Sequence, residues 1–156
     1  MSAHASDRDP LLVHWADNAA KKTMSEHPDK DVYVAAAGIT PSGVVHIGNF
    51  REVMTVDLVV RALQDRGKKV RFIYSWDDFD VFRKVPKDMP QQEMLEENLR
   101  KSISAVPDPF GEHDSYASHN IATFESSIEP LDIQPEFIRQ SAAYQRGDYA
   151  EGIQKA

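Results

Sequence analysis

The chain has 156 residues, 25 acidic against 18 basic side chains, a net charge of −7 and no cysteine. That length suits about one domain with a real core; the missing cysteines exclude a disulfide framework and a thiolate metal site, and no apolar run approaches the roughly 20 residues of a membrane span. The acidic balance argues against a nucleic-acid binder acting alone, because phosphate affinity comes from clustered Lys and Arg, and the polar stretch Met1–Pro10 reads as a cytoplasmic start rather than a secretory signal.

Asp9-Pro10 reads as a helix N-cap with Pro at the first helical position, which predicts a helix to about Met24 with Leu12, Trp15, Ala16, Ala19 and Met24 facing a core. His27-Pro28-Asp29 is a break. Val32–Ala37 is a short apolar run between breakers, the pattern of a buried strand. A small-residue loop, Gly38–Gly48, leads to a helix from about His46 to Asp65 that is expected to bury Ile47, Phe50, Met54, Leu58 and Leu63, with Gly67 as its stop. Val70–Trp76 is a second strand, so strand, helix and strand form a βαβ unit with a parallel pair and a right-handed crossover. Pro86 and Pro90 mark a loop, and Met94, Leu95, Leu99 and Ile103 share one face of a helix expected from Gln91 to Ser104. After Pro107 and Pro109 a helix is expected over Tyr116–Ile128, a strand over Glu136–Arg139, and a last helix capped by Ser141 and running to Ile153.

A small-residue loop between a strand and a helix is where an α/β protein places a phosphate, because free N–H groups and the helix dipole point there. Gly43 and Gly48 permit close approach of backbone and ligand, Pro41 stiffens the turn, His46 can donate to phosphate oxygens, and Asn49 lies one turn on. The alternative is a turn whose glycines serve geometry alone. Asp77, Asp78 and Asp80 follow the second strand, at the sheet's carboxyl end beside this loop; they are either ligand-binding acids or turn caps. Arg83 and Lys84 can pair with them or reach a substrate. Asp108, Glu112, His113 and His119 form a second cluster whose nitrogen and oxygen donors suit Zn²⁺; the alternative is a solvated helix start with incidental histidines. His4, His14 and His27 read as surface or capping residues, Trp15 as core, and Glu93, Glu96 and Glu97 as a solvated helix face.

Pro41-Ser42-Gly43-Val44-Val45-His46-Ile47-Gly48-Asn49 resembles the HIGH signature of class I aminoacyl-tRNA synthetases. Its Asn-ended form, preceded by Ala37-Gly38-Ile39-Thr40 and followed by Phe50-Arg51-Glu52, is similar to that of the class I lysyl-tRNA synthetases. The resemblance continues through His14-Trp15-Ala16-Asp17, Trp76-Asp77-Asp78-Phe79-Asp80, Phe82-Arg83-Lys84-Val85-Pro86 and Pro107-Asp108-Pro109-Phe110-Gly111, nearly the whole chain. It implies the first half of a Rossmann-type parallel-sheet nucleotide-binding domain over residues 1–105, then the start of an inserted α+β connective subdomain over 106–156.

It further implies ATP-dependent activation of lysine, with Mg²⁺ accompanying the ATP, and transfer to tRNA(Lys). By resemblance Pro41, Ser42, Gly43, His46, Gly48 and Asn49 bind ATP, with His46 near the α- or β-phosphate. Gly38 and Thr40 line the amino-acid pocket with Asp80, and Asp77 holds the substrate α-ammonium. The family carries a zinc-type cluster at the second constellation, commonly with Cys where this chain has Glu112; carboxylate is the harder ligand. The sequence lacks the lysine-rich KMSKS loop and an anticodon-binding domain, so it reads as an N-terminal fragment, inactive alone. The competing reading is a stand-alone synthetase-derived module that binds nucleotide or amino acid without catalysis.

Overall fold

The computed structural model describes residues 13–44 and 46–156. The expected cap at Asp9-Pro10, together with Leu12, His4 and Val45, lies outside the described residues. Helix α1 spans Trp15–Glu26, and its N-cap is His14, whose ring nitrogen accepts from the Ala16 N–H. His27 closes the other end, and its carbonyl accepts from the Tyr33 hydroxyl. Both histidines therefore cap, as expected. Trp15 does not enter the core: it is 47% exposed, and the small Ala16 and Ala20 make the contact with α2 instead.

Strand β1 (Val32–Ile39), helix α2 (Ile47–Gln64) and strand β2 (Lys69–Trp76) form the expected βαβ unit, with β1 and β2 parallel from Val32↔Lys69 to Ile39↔Trp76. Alternation along β2 buries Phe72, Tyr74 and Trp76 together. Phe124 of α4 (Tyr116–Ile128) stacks on Tyr74 and meets Trp76 edge-on, with ring centroids 5.4 and 5.2 Å apart. Val53 and Val60 of α2 join this cluster, while Ala62 and Leu63 pack toward α1. Ile47, expected in the core, is 82% exposed, because the helix starts there and points its first turn at solvent.

Strand β3 (Glu136–Arg139) pairs parallel with β2, giving the order β1-β2-β3. The chain is thus α/β, with three parallel strands in an open sheet and helices packed on it. Residues 106–156 supply both α4 and β3, and Val106 itself is fully buried, so one core runs across that position.

Two helix expectations are corrected. Helix α3 covers only Gln92–Glu97. Beyond it the Asn98 side chain bonds the Met94 carbonyl, Arg100 adopts φ 74°, and the backbone turns to exchange hydrogen bonds with Phe82. Ile103 then sits in a short 3₁₀ turn, Ile103–Ala105. The last helix divides into α5 (Gln140–Arg146) and α6 (Ala150–Lys155) at Gly147, whose φ of 78° ends α5 as a left-handed cap. Ser141 is not its cap but lies in the first turn of α5.

Candidate functional site

The carboxyl ends of β1 and β2 are locked together. The Asp77 N–H donates to the Ile39 carbonyl at 3.0 Å, and the Thr40 hydroxyl donates to Asp80 Oδ2 at 2.8 Å. Gly38 is required by this join: a Cβ there would lie 2.4 Å from the Ser75 carbonyl oxygen. Its N–H, on the outer side of β1, is taken by Glu52 Oε1 of α2 at 3.2 Å.

The loop that follows is held from two sides. Pro41 is buried, and the Tyr116 hydroxyl of α4 donates to the Ser42 carbonyl at 2.9 Å. His46 is the N-cap of α2, extended at φ −129° and ψ 173°. Its Nδ1 accepts from the Gly48 N–H at 3.1 Å, while Asn49 Oδ1 accepts from the His46 N–H at 3.2 Å, a reciprocal capping box. An accepting Nδ1 leaves the ring hydrogen of neutral His46 on Nε2, available to an acceptor in front of the helix. Gly48 is explained by the same contact, since a Cβ would meet the His46 ring at 2.9 Å. Gly43 is less constrained: a Cβ would lie 3.8 Å from the Tyr116 hydroxyl.

The acidic turn after β2 divides its three carboxylates. Asp78 points inward, is 4% exposed, and accepts from Ser141 N at 2.7 Å and Ser141 Oγ at 2.6 Å. This side chain caps α5 from outside the helix, which is why Ser141 need not. Ser102, Ser104 and Ile103 donate to the Asp78 and Asp80 carbonyls and hold the turn from beneath. Asp80 is exposed, and Asp77 keeps one side open to solvent while the other rests on the protein. Partial burial pushes the Asp77 carboxyl above its ordinary range, the neighbouring Asp80 and Asp78 charges add to this, and the Ser75 hydroxyl works against it. No Lys or Arg among the described residues forms an ion pair with Asp77, Asp78 or Asp80; Arg83 and Lys84 are exposed instead.

Two cavities meet at Asp80. One, of about 420 Å³, is bounded by Thr40, Ser42, Asp80, Arg83 and Lys84. The other, of about 410 Å³, lies between Asp77, Phe79 and Asp80 on one side and Gln140, Tyr144 and Tyr149 on the other. The second wall has no signal in the local sequence pattern. It is delivered by α5 and the turn that follows it, 64 to 73 positions beyond Trp76 at the end of β2.

The second constellation is split by the fold. Ligand atoms of Glu112, His113 and His119 lie within 4.8 Å of one another. Asp108 sits behind them, its oxygens accepting from the Phe110, Glu112 and His113 N–H groups at 2.9–3.1 Å. Burial opposes the Asp108 charge, but these three donors and nearby His119 hold its carboxyl below the ordinary range. His119 stacks on Phe110, and its Nδ1 is buried without a hydrogen-bond partner, 3.4 Å from Asp108 Oδ2 and 3.7 Å from Glu112 Oε2.

Comparison with known proteins agrees with this architecture. The family described as tRNA synthetases class I (K) matches residues 13–156. A lysine–tRNA ligase of Treponema pallidum is 54% identical over 144 residues, covering 92% of this chain and 27% of that protein. A lysine–tRNA ligase of Pyrococcus furiosus is 52% identical over 145 residues, 93% of this chain and 27% of the relative. One from Methanosarcina barkeri is 40% identical over 144 residues, with shares of 92% and 26%. The chain thus spans about a quarter of the length of these curated relatives. With nearly all of its residues matched by one family, the chain belongs to the class I tRNA synthetases (K).

Proposed function

We propose that this chain is the first half of the catalytic domain of a lysine–tRNA ligase. In this reading residues 1–105 carry the HIGH half of the site, and residues 106–156, whose α4 and β3 complete the same core and sheet, continue toward the inserted connective subdomain. The full-length enzyme joins lysine to ATP, supplied with Mg²⁺, and passes the lysyl group to tRNA(Lys). The lysine carboxylate attacks the α-phosphorus of ATP, and pyrophosphate leaves. A terminal ribose hydroxyl of the tRNA then attacks the adenylate carbonyl, and AMP leaves. The observation that supports this most is the convergence of the His46–Asn49 cap, the Thr40–Asp80 join and the exposed Asp77 at the carboxyl ends of two parallel strands.

Each residue has a role in positioning rather than in covalent chemistry. His46 Nε2 and the first N–H groups of α2 face the phosphates, with Pro41, Ser42, Gly43 and Gly48 shaping the loop and Asn49 fixing the cap. Gly38 and Thr40 line the amino-acid side, and Asp77 takes the α-ammonium through charge-assisted hydrogen bonds. In this reading the charging of tRNA is an activity of the full-length enzyme, and these residues, which span 27% of the length of the Treponema pallidum relative, are expected to be inactive by themselves.

Calorimetry with a non-hydrolysable lysyl-adenylate analogue tests the assignment. Binding by the wild-type chain, weakened about fivefold in His46→Ala through loss of one hydrogen bond, is the expected result. A folded wild-type chain that ignores the analogue overturns the reading, and tRNA charging by this chain overturns its inactivity.

Glu112, His113 and His119 would hold a Zn²⁺ ion, with Asp108 organising the loop beneath them. The buried, unpartnered His119 nitrogen and the three clustered donors support this. A zinc here would serve as a structural tie between the loop and α4. Elemental analysis of purified protein should find zinc, and chelation should lower the unfolding temperature. Metal-free protein whose unfolding is indifferent to chelator would remove the assignment.

A further inference from the structure

The cavity between the acidic turn and α5 has an uncommon lining. Phe79, Tyr144 and Tyr149 are 44%, 46% and 37% exposed, whereas the core rings Tyr74, Trp76 and Phe124 are fully buried. They are nevertheless ordered against one another: Phe79 and Tyr144 stack at 5.0 Å and 20°, and Tyr144 meets Tyr149 at 4.9 Å and 59°. Gln140 donates to Ser75 Oγ at 2.7 Å and accepts from the Tyr149 hydroxyl at 2.5 Å. None of these rings is part of either core cluster. They face Asp77 and Asp80, and the lining contains no basic side chain. Thr40 occupies one oxygen of Asp80. A cavity with an aromatic wall, two carboxylates and no cation is complementary to a ligand that carries a hydrocarbon stem and a positive end.

We propose that Phe79, Tyr144 and Tyr149 are specificity-determining residues, whose rings sheathe the aliphatic stem and terminal ammonium of the substrate side chain with Asp80 as its counter-charge. This deepens, and rests on, the reading of the chain as a lysine-activating half-site, in which Asp77 takes the α-ammonium. The two ends of one ligand are then read by separate carboxylates of one turn, and the rings between them select a side chain that is apolar along its length and charged at its tip. A neutral side chain of the same length gains the stem contacts and loses the charge contacts.

The test is an NMR titration of the 156-residue chain with lysine and with norleucine, which keeps the α-ammonium and the stem but lacks the terminal charge. Wild type should prefer lysine. Phe79→Leu and Tyr144→Leu, which keep apolar bulk at exposed positions, should each weaken lysine about fivefold by removing a cation–π partner and leave norleucine within about twofold. Tyr149→Phe, which keeps the ring, should retain the preference. Spectral dispersion reports that each variant is folded. An unaltered lysine-to-norleucine ratio in the two leucine variants, or its loss in Tyr149→Phe, overturns the proposal while leaving the half-site reading intact. A wild-type chain that binds neither amino acid defeats the half-site reading itself.

Discussion

Asp78→Ala should destabilise the chain by about 3 kcal/mol, because it strips two donors of a buried charged acceptor at once. The Asp78 carboxylate is buried and receives both the N–H and the hydroxyl of Ser141. Without it, two polar groups at the start of α5 lose their partner, and α5 keeps no side-chain cap of its own. At this chain length the change corresponds to a fall in unfolding temperature of about 10 °C, measurable by circular dichroism. Asp78→Asn preserves the shape and one acceptor oxygen, so it should lose clearly less. Equal losses in the two variants would mean that the charge and the second acceptor oxygen, rather than side-chain packing, hold α5 here. The same variants should weaken lysine binding, since Asp77 and Asp80 flank the anchored residue and Gln140 starts the anchored helix.

Asp77→Asn should act in the opposite direction on stability. The carboxyl of Asp77 is held above its ordinary range, first by burial and then by Asp80 and Asp78. A raised folded-state value means that the fold favours the protonated form. The associated stability is present at acid pH, below the unfolded value of about 3.9, and is lost as pH rises through the folded value. Near neutrality the ionised Asp77 is therefore a burden, and the neutral amide should raise the unfolding temperature, with the gain vanishing on acidification. Binding should pay for it: lysine affinity is expected to drop about 10- to 100-fold, the range for a lost hydrogen bond between charged partners. Wild-type affinity should also decline on acidification, beginning above the pH at which an ordinary aspartate titrates. Titration of lysine into both proteins across that range, with thermal unfolding alongside, checks both halves. An amide variant that binds lysine normally would release Asp77 from its role.

The sequence was most legible where a local pattern maps onto one element. An apolar run between breakers located β1, the small-residue loop located the start of α2, and the strands expected over Val70–Trp76 and Glu136–Arg139 are β2 and β3. Ile47 and Trp15 were misread for a common reason: each begins a helix, where periodicity gives no information about which neighbours cover the first turn. Helix α3 looked longer because Leu99 and Ile103 keep helical spacing, yet the tertiary hydrogen bonds between Arg100, Lys101 and Phe82 outweigh that spacing. The site shows the same division. Thr40 and Asp77 directly follow adjacent strands, so the Thr40–Asp80 and Asp77–Ile39 hydrogen bonds follow from the parallel pairing, while His46 and Asn49 stand in one string at the start of α2. Asp78 looked like its neighbours, although its side chain turns inward to a serine 63 positions away. Tyr144 and Tyr149 carried no signal, because only the return of β3 to the sheet brings them to the acidic turn.

That return also sets the order in which the molecule can assemble. Pairing of β1 with β2 needs only the intervening helix to form, whereas β3 pairs with β2 at a separation of 63 positions, from Ile73 to Glu136. The entropy lost in closing a segment rises with its length and must be met before the distant contacts stabilise it. The Gly38–Gly48 loop therefore belongs to the early, locally closed part of the chain, and the acid–aromatic cleft to the late one. By the same logic the cleft is the part that opens first by partial unfolding, and a ligand spanning Asp80 and Tyr144 would act as a clamp on the last-formed seam.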